Sequence, residues 1–293
     1  MEWFYFAFIA TALFAAAMTI DKIIVSKYFK TGLHNAIITT IVEFLAAAGI
    51  FIFIKFEIPS IWFAALGILN GFIWALAVLV YFKAVSHEDD ISGIAPIFLV
   101  IPLIVAVFSA VFLNEILRPI QYIGIIAIVS GAIALSMKAG KFRLSKAAML
   151  MILASVLFAA SYVLDKFLLG FSDYWNLFAW TSTGLAISGV FLLSRHHKDF
   201  FAAITKYRKA AAAAFLSETI AVTGSLLIVI AASLTAVSLV SAIPSFQPLI
   251  VLVFAAIVTI IRPDLLKEDI SMKNIARKGI AIIAMIAGAF LLV

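Results

Sequence analysis

The feature that most constrains this chain is a series of long apolar runs that contain almost no charged residues. A helix needs about 20 mainly apolar residues, at a rise of about 1.5 Å each, to cross a hydrocarbon core of about 30 Å. Membrane-spanning strands would be shorter and would alternate apolar with polar residues, which these runs do not do. The runs occupy residues 3–20, 35–54, 58–82, 91–114, 119–137, 147–164, 174–194, two adjoining stretches of 210–261 that divide near 233–235, and 274–293. The sequence therefore predicts an all-α integral membrane protein with ten transmembrane helices.

Composition supports a membrane protein and argues against other classes. Of the 293 residues, 66% are hydrophobic and 12% are charged, which is more apolar surface than one soluble core can bury. The net charge of +6 comes from short basic clusters between apolar runs, which is typical of loops beside an anionic bilayer and not of nucleic-acid binding. The chain contains no Cys, so it forms no disulfide or thiolate metal site. The first apolar run follows Glu2 instead of a basic segment, so we expect no cleaved signal peptide.

Short motifs recur in the same order in the two halves of the chain. The sequence LFAA at 13–16, followed by Asp21 and Lys22, returns at 157–160, followed by Asp165 and Lys166. Three further pairs are GIF at 49–51 with GVF at 189–191, PLIV at 102–105 with PLIV at 248–251, and GA at 131–132 with GA at 288–289. These pairs fall in predicted helices 1 and 6, 2 and 7, 4 and 9, and 5 and 10. The sequence thus predicts two five-helix repeats, residues 1–140 and 146–293.

The odd number of helices in each repeat determines their relative orientation. The second repeat must enter the membrane from the side opposite to the first, which gives an inverted-topology repeat. Such repeats are common in alternating-access carriers, whose substrate site lies near the bilayer midplane between the halves.

The first half also carries a recognisable set of residues. They are a Lys in helix 1, prolines in helix 4, a Glu after it and a Gly-rich helix 5: Lys22, Pro96, Pro102, Glu115, Gln121, Gly124 and Gly131. In this pattern the chain resembles the drug/metabolite transporter superfamily, and within it the ten-helix EamA-type proteins with two related halves. The second half departs from the pattern, because Arg262-Pro263-Asp264 stands where the first half has Asn114-Glu115. The resemblance implies secondary transport, often export, of an amino acid or another small metabolite.

Two lines of argument give opposite predictions for the side of the membrane on which the termini lie. Basic residues are concentrated after odd-numbered helices. If the protein lies in the cell membrane, the positive-inside rule places those loops on the cytoplasmic side and both termini outside the cell. The resemblance instead implies cytoplasmic termini. We favour the charge distribution, because it belongs to this sequence.

Two acidic residues inside apolar runs are the sharpest functional candidates, since an ionisable group in a membrane helix is costly. Glu43 lies about 12 Å into helix 2, and Glu218 lies at a similar depth in helix 8. The approximate counterpart of Glu218 in helix 3 is Asn70. These side chains fit a substrate site or a proton-coupling site. The alternative is a structural role, with a protonated Glu43 bonded to a partner such as Thr39 or Thr40, or with Glu218 in an interhelical hydrogen bond.

The repeated Asp-Lys pairs lie near the ends of their helices. Asp21-Lys22 and Asp165-Lys166 each follow about 27 Å of helix, so the inversion would bring them toward opposite mouths of a pathway. They could close two gates through ion pairs with neighbouring helices. They could equally anchor the helices at the membrane interface, with the lysines reaching toward water.

Prolines and aromatic residues complete the candidates. Pro96 and Pro102 in helix 4, and Pro244 and Pro248 in helix 9, each remove a backbone hydrogen bond, which membranes tolerate against protein or a wet cavity. Helix 9 also carries Ser245 and Gln247, so these helices either line the pathway or are merely kinked. Four aromatic residues could contact a substrate or simply pack between helices: Trp74, Tyr81, Tyr162 and Trp180.

The combined pattern indicates a carrier and not an enzyme. The sequence contains neither an HExxH motif nor a GxGD motif, and His87 and the pair His196-His197 lie in polar segments that we interpret as solvated loops without metal. We expect a small-molecule substrate, a lipid bilayer and protons as partners, and no cofactor. The alternatives are an uncoupled uniporter or exchanger of the same fold, and a scaffold or receptor that transports nothing.

Overall fold

The chain forms a bundle of helices in the computed structural model, which describes residues 1–27, 33–54, 59–85, 87, 95–136, 145–261 and 272–293. Within these ranges every regular element is a helix, and none is a strand. We number the helices by span and divide the two broken ones into a and b. They are α1 (Glu2–Lys27), α2 (Leu33–Phe53), α3 (Ile61–Val85), α4a (Ala95–Phe98), α4b (Ile101–Leu113), α5 (Pro119–Ser136), α6 (Lys146–Leu168), α7 (Tyr174–Lys206), α8 (Arg208–Leu234), α9a (Val237–Ala242), α9b (Gln247–Ile261) and α10 (Met272–Leu292).

The helices account for all ten predicted apolar runs. In the described part of the chain, nine segments are long and apolar enough to cross a membrane, and a shorter apolar stretch, Gly279–Leu292, lies in α10. The predicted division near 233–235 is the break between α8 and α9a. The prediction of an all-α integral membrane fold is confirmed.

Helix α7 continues beyond the predicted end of its apolar run. It spans 33 residues and includes Arg195, His196 and His197, which we had interpreted as a loop. The segment contains no Pro or Gly after Gly189, and Phe200 packs against the buried cluster that includes Ile24, Ile37 and Ile38. Helix-compatible residues and one anchoring aromatic side chain therefore extend the helix past the apolar run.

The two proline-bearing spans are broken at their prolines. Leu99 and Val100 separate α4a from α4b, and Pro102 occupies the first turn of α4b, where a missing N–H is tolerated. In the ninth span, Ile243–Phe246 forms a 3₁₀ turn that begins with Ile243-Pro244, and Pro248 lies in the first turn of α9b. Each span therefore consists of two short helices, not one bent rod.

The helices pack in pairs that each join the first half of the chain to the second. The main pairs are α1 with α8, α3 with α6, α2 with α7, and α5 with α10. Glycines allow α3 to approach α7 closely, and α5 to approach α10. A Cβ on Gly71 of α3 would collide with the backbone of Thr181 and Gly184 on α7, and one on Gly124 of α5 would lie 2.8 Å from the Gly288 carbonyl oxygen of α10. The core therefore lies between the halves and not within either of them.

Candidate functional site

A cavity of about 50 Å³ lies between helices of the two halves. Its described lining comes from α1, α2, α3, α6, α7 and α8, that is, from helices of both halves. The polar lining residues are Glu43, Asp165, Thr181, Ser182 and Ser225, and the apolar and aromatic ones are Phe14, Trp74, Tyr162, Phe178, Leu185, Ile228 and Val229. Mostly apolar walls with a few polar groups are typical of the lining of a small-molecule site.

Glu43 is held at the cavity by a partner on the opposite half. The Ser182 hydroxyl of α7 donates a hydrogen bond of 2.5 Å to Glu43 Oε2, and both residues are buried. If Glu43 had a purely structural role, we expected Thr39 or Thr40 to be its hydrogen-bond partner. Their hydroxyls instead donate to backbone carbonyl oxygens of α2, at Asn35 and Ile37. Glu43 therefore bridges α2 and α7 while it faces the cavity.

Asp165 is the second carboxylate of the cavity. Asn70 Nδ2 of α3 donates to Asp165 Oδ1 at 2.7 Å and lies 3.4 Å from the Ser161 carbonyl oxygen. Asn70 is fully buried and Asp165 is 9% exposed. The depth of Asp165 along its helix predicts a position near a membrane interface, and the structure places Asp165 in the lining of the same cavity as Glu43.

Glu218 and Asp21 form a second polar group, close to the cavity but outside its described lining. The Asp21 carboxyl lies beside Ser217 and near Glu218, which also neighbours Thr39 and Glu43. Ser217 Oγ donates to the Ala17 carbonyl oxygen at 2.9 Å. These contacts join α1 to α8 much as Asn70 and Asp165 join α3 to α6.

Lys166 points away from its neighbour Asp165. Its ammonium donates to the carbonyl oxygens of Ala232 and Thr235 at 2.8 and 2.7 Å, at the end of α8. Glu115 Oε1 lies 3.8 Å from Lys166 Nζ, and Glu115 Oε2 accepts a hydrogen bond from the Val237 backbone at 3.1 Å. We call these contacts of Lys166 and Glu115 the 166–115 clasp. The side chain of Lys22, the counterpart of Lys166, lies outside the described residues.

Local backbone geometry places Glu115 in the clasp. Asn114 ends α4b with φ of 55°, a left-handed conformation that Asn tolerates better than most residues. The chain then turns before Pro119 begins α5. Burial raises the pKa of the Glu115 carboxyl in this connection, and the Lys166 ammonium opposes that rise.

The four aromatic candidates divide between the cavity and helix contacts. Trp74 and Tyr162 line the cavity and make an edge-to-face pair with ring centroids 5.8 Å apart. Tyr81 instead packs on Phe98, and Trp180 packs against Phe51 and against Gly67. Only Trp74 and Tyr162 are therefore placed to meet a substrate in this cavity.

The proline-bearing spans contribute nothing to the described cavity lining. Pro96, Pro102, Pro244 and Pro248 mark the breaks instead. Ser245 is buried, and Gln247 Nε2 donates to Met18 Sδ at 3.5 Å. Ser109 of α4b and Ser238 of α9a share a buried hydrogen bond of 2.5 Å, which joins the two broken spans to each other.

Sequence reasoning missed several lining residues that have no charge to mark them. Phe14, Phe178, Thr181, Ser182 and Ser225 are common residue types in membrane helices. One signal was available for Ser182: the GIF and GVF motifs align Glu43 with residue 183, one position away. No three His, Asp or Glu side chains in the described ranges lie close enough to hold a metal ion.

Comparison with known proteins finds a family match in the first half of the chain. Residues 1–137 match the EamA-like transporter family. No curated protein matches the chain significantly. A solved structure titled only "Crystal structure of protein" is similar over 99% of this chain and 96% of its own, with a TM-score of 0.66 and 15% sequence identity. At that identity the likeness shows a shared fold, and together with the family match it confirms the EamA-type resemblance.

Proposed function

Because the first half of this chain belongs to the EamA-like transporter family of membrane transporters, we propose that the protein is a secondary active transporter of a small metabolite. The observation that carries this proposal is the cavity between the halves, which both halves line and whose lining includes Glu43 and Asp165. Intramembrane carboxylates in a shared cavity are typical of substrate and ion pathways.

Alternating access requires two halves that move against each other around the cavity. The packing supports this arrangement. If helices 1–5 are exchanged with helices 6–10, the contact of α1 with α8 becomes that of α6 with α3, and the pairs α2–α7 and α5–α10 map onto themselves. The correspondence extends to single residues. Asp21 on α1 lies near Glu218 on α8, and its counterpart Asp165 on α6 binds Asn70 on α3. These relations favour two related halves, 1–140 and 146–293, with inverted topology.

Proton coupling is the second part of the proposal. An uncompensated carboxylate in a low-dielectric interior takes up a proton, and a bound solute can displace that proton. Glu43 faces Ser182 and Glu218, and Asp165 faces Asn70 and the Tyr162 hydroxyl. We infer that Glu43 and Asp165 exchange protons for substrate. Loss of protons as pH rises then favours substrate binding to the carboxylates, and low pH opposes it.

The 166–115 clasp would close one side of the cavity in the conformation described. It ties the end of α6 to the α8–α9 connection and to the α4–α5 connection, which belongs to the other half. Opening that side would separate these contacts, so the gating role of Lys166 rests on Glu115 and backbone carbonyls and not on Asp165. Glu218 and Asp21 would serve the opposite side.

The protein is a multi-pass membrane protein. We propose that it lies in the cell membrane, that it exports its substrate, and that the loops after odd-numbered helices face the cytoplasm. The basic residues concentrated in those loops support this orientation.

Reconstitution tests the proposed function directly. We expect a thermal-shift screen of amino acids and metabolites against the purified protein to find a stabilising solute, and proteoliposomes to carry that solute with flux that responds to an imposed pH gradient. Glu43→Gln and Asp165→Asn together should lower the flux at least about tenfold. The matched control is Asp199→Asn, because Asp199 is an exposed carboxylate on the α7 extension away from the cavity.

The same assay separates the alternatives. Solute flux that is independent of the pH gradient and unchanged in the Glu43→Gln, Asp165→Asn variant indicates an uncoupled uniporter or exchanger. Absence of flux for every solute that stabilises the protein would contradict transport and favour a receptor or scaffold.

A further inference from the structure

We propose that the substrate is an organic cation, a protonated amine or quaternary ammonium with an aromatic or apolar body, and that Asp165 and Glu43 bind its positive charge. This inference rests on the proposed function and names the substrate class of the same cavity.

The charge of the described cavity lining is entirely negative. It contains two carboxyl groups and no Lys, Arg or His. The nearest basic residue in sequence, Lys166, directs its ammonium to Ala232, Thr235 and Glu115. Across the described part of the chain, no basic side chain lies within ion-pair distance of Glu43 or Asp165. A cationic ligand would supply the missing counter-charge, since buried charges in proteins are normally paired.

The carboxyl groups also keep free acceptor positions. Ser182 binds Glu43 Oε2 and Asn70 binds Asp165 Oδ1, while Glu43 Oε1 and Asp165 Oδ2 have no hydrogen-bond donor among the described residues. Thr181 Oγ1, on the cavity wall, is buried without a hydrogen-bond partner. A primary ammonium group has three N–H donors and no acceptor, so it complements acceptors of this kind. A quaternary ammonium has no N–H donor, so it would be held by its charge and by the aromatic walls alone.

Two further buried polar groups lie next to Asp165, outside the cavity lining. Asn70 Oδ1 and Ser161 Oγ have no hydrogen-bond partner, although both residues are 0% exposed. Unsatisfied buried polar groups are uncommon in native proteins, and they occur where a ligand or water completes the site. Asn70 is the residue that binds Asp165, and Ser161 lies one helical turn before Asp165 on α6.

The remaining walls fit an aromatic or apolar body. Phe14, Trp74, Tyr162 and Phe178 line the cavity beside the two carboxyl groups. Aromatic faces attract ammonium cations, and they also stack on aromatic rings. A solute with its own carboxylate would instead meet two acidic groups without a basic partner. The cavity therefore favours amines over anions and over zwitterionic amino acids.

A set of matched ligands tests the charge directly. We expect 2-phenylethylammonium and benzyltrimethylammonium to bind the purified full-length protein at least about tenfold more tightly than 2-phenylethanol and 3-phenylpropionate, because all four share an aromatic ring and differ chiefly in charge. Butylammonium, 1-butanol and butyrate repeat the comparison with a smaller body. Binding is measured by calorimetry at pH 7.5, and flux is measured in proteoliposomes.

Substitutions test the assigned residues. Asp165→Asn and Glu43→Gln should each weaken binding of the cations at least about tenfold, while binding of the neutral alcohols changes little. Glu2→Gln, which removes an exposed carboxylate at the start of α1, should leave cation binding unchanged. Size-exclusion profiles and thermal unfolding midpoints establish that each variant is folded. Asp165→Glu, which keeps the charge, should recover part of the affinity.

The outcomes distinguish this inference from the proposed function. Tighter binding of the alcohols or carboxylates than of the amines would overturn it, and so would cation binding that survives the Asp165→Asn, Glu43→Gln double substitution. Flux of a neutral or anionic solute without any flux of amines would refute the cation assignment and leave transport standing. Failure of every solute to cross the vesicles would refute both.

Discussion

Asp165 and Lys166 are neighbours in sequence, yet their side chains serve different parts of the molecule. Adjacent residues on a helix point about 100° apart, so one of them reaches Asn70 and the cavity while the other reaches the end of α8. The sequence repeat correctly marked this pair as unusual. It did not assign the two side chains to separate tasks, because that assignment depends on which helices pack on each face of α6.

Asn70 gives a residue-scale prediction, because it positions Asp165 without lining the cavity itself. Asn70→Leu removes the hydrogen bond to Asp165 Oδ1 and leaves the Ser161 carbonyl oxygen without its side-chain donor. We expect a weakening of substrate binding by about three- to tenfold and a shift of the pH midpoint of transport to higher pH, since the ionised form of Asp165 loses a donor. Flux measured between pH 5 and pH 9 checks the shift.

A structural role alone would not move the pH midpoint. The matched comparison is Ser109→Ala, which removes one partner of a buried hydrogen bond between α4b and α9a, away from the cavity. That variant should lose about 0.6 kcal/mol of stability, the average for such bonds in membranes, with no shift in the pH profile. Equal pH profiles for Asn70→Leu and the unmodified protein would contradict the positioning role.

At the scale of elements, close helix contacts depend on glycines. The GxxxG pattern at Gly67 and Gly71 predicts close packing in a membrane helix. In the structure, Gly71 of α3 meets Gly184 of α7, and Gly67 meets the Trp180 side chain. These contacts hold α3 and α7 together along one side of the cavity, which Trp74 and Thr181 also line.

Substitution of these glycines should separate the helices. In Gly71→Ala the added methyl group would collide with the backbone of Thr181 and Gly184, and backbone cannot rotate away as a flexible side chain can. We expect a loss of about 1–3 kcal/mol of stability or more, visible as a lower thermal unfolding midpoint in detergent. Gly184→Ala should have a similar effect, because its Cβ would meet the Ile68 carbonyl group.

Gly49→Ala is the matched control within the same bundle. A Cβ at Gly49 meets no atom within 4 Å, and Ala favours helix more than Gly does. Its unfolding midpoint should stay the same or rise slightly. Equal midpoints for Gly49→Ala and Gly71→Ala would show that the close approach of α3 and α7 is not needed for stability.

At the scale of the whole molecule, the inverted arrangement of the two halves is open to a labelling test. The chain has no native Cys, so single cysteines report their own positions alone. Glu2 at the start of α1 and Lys146 at the start of α6 are both exposed and begin equivalent helices. Inversion predicts that Glu2→Cys and Lys146→Cys react with a membrane-impermeant maleimide from opposite sides of the membrane.

The direction of labelling also distinguishes the two orientations. The positive-inside rule predicts that intact cells expose Glu2→Cys and protect Lys146→Cys, and the reverse result supports cytoplasmic termini. Reaction of both cysteines from the same side would refute the inverted repeat in either orientation. Labelling after membrane permeabilisation is the control for reactivity.

Local sequence signals determined the membrane class, the ten apolar runs, the positions of the helix-disrupting prolines and the candidate acids. The length of an apolar run, the lost N–H of a proline and the cost of an intramembrane carboxyl are properties of a short segment, so no tertiary contact is needed to read them. Glu43 was identifiable for this reason, because one acidic residue interrupts an otherwise uncharged run.

Tertiary structure decided which of these residues share one cavity. Glu43 and Asp165 lie 122 positions apart in the sequence and come together only because α2 and α6 both border the space between the halves. Glu218 was as prominent in sequence and yet lies outside the described lining. Ser182 and Asn70 carry no charge, and their roles follow from the carboxylates that they face across helix interfaces. Side-chain direction and the pairing of distant helices arise from packing of the whole chain, which no single segment encodes.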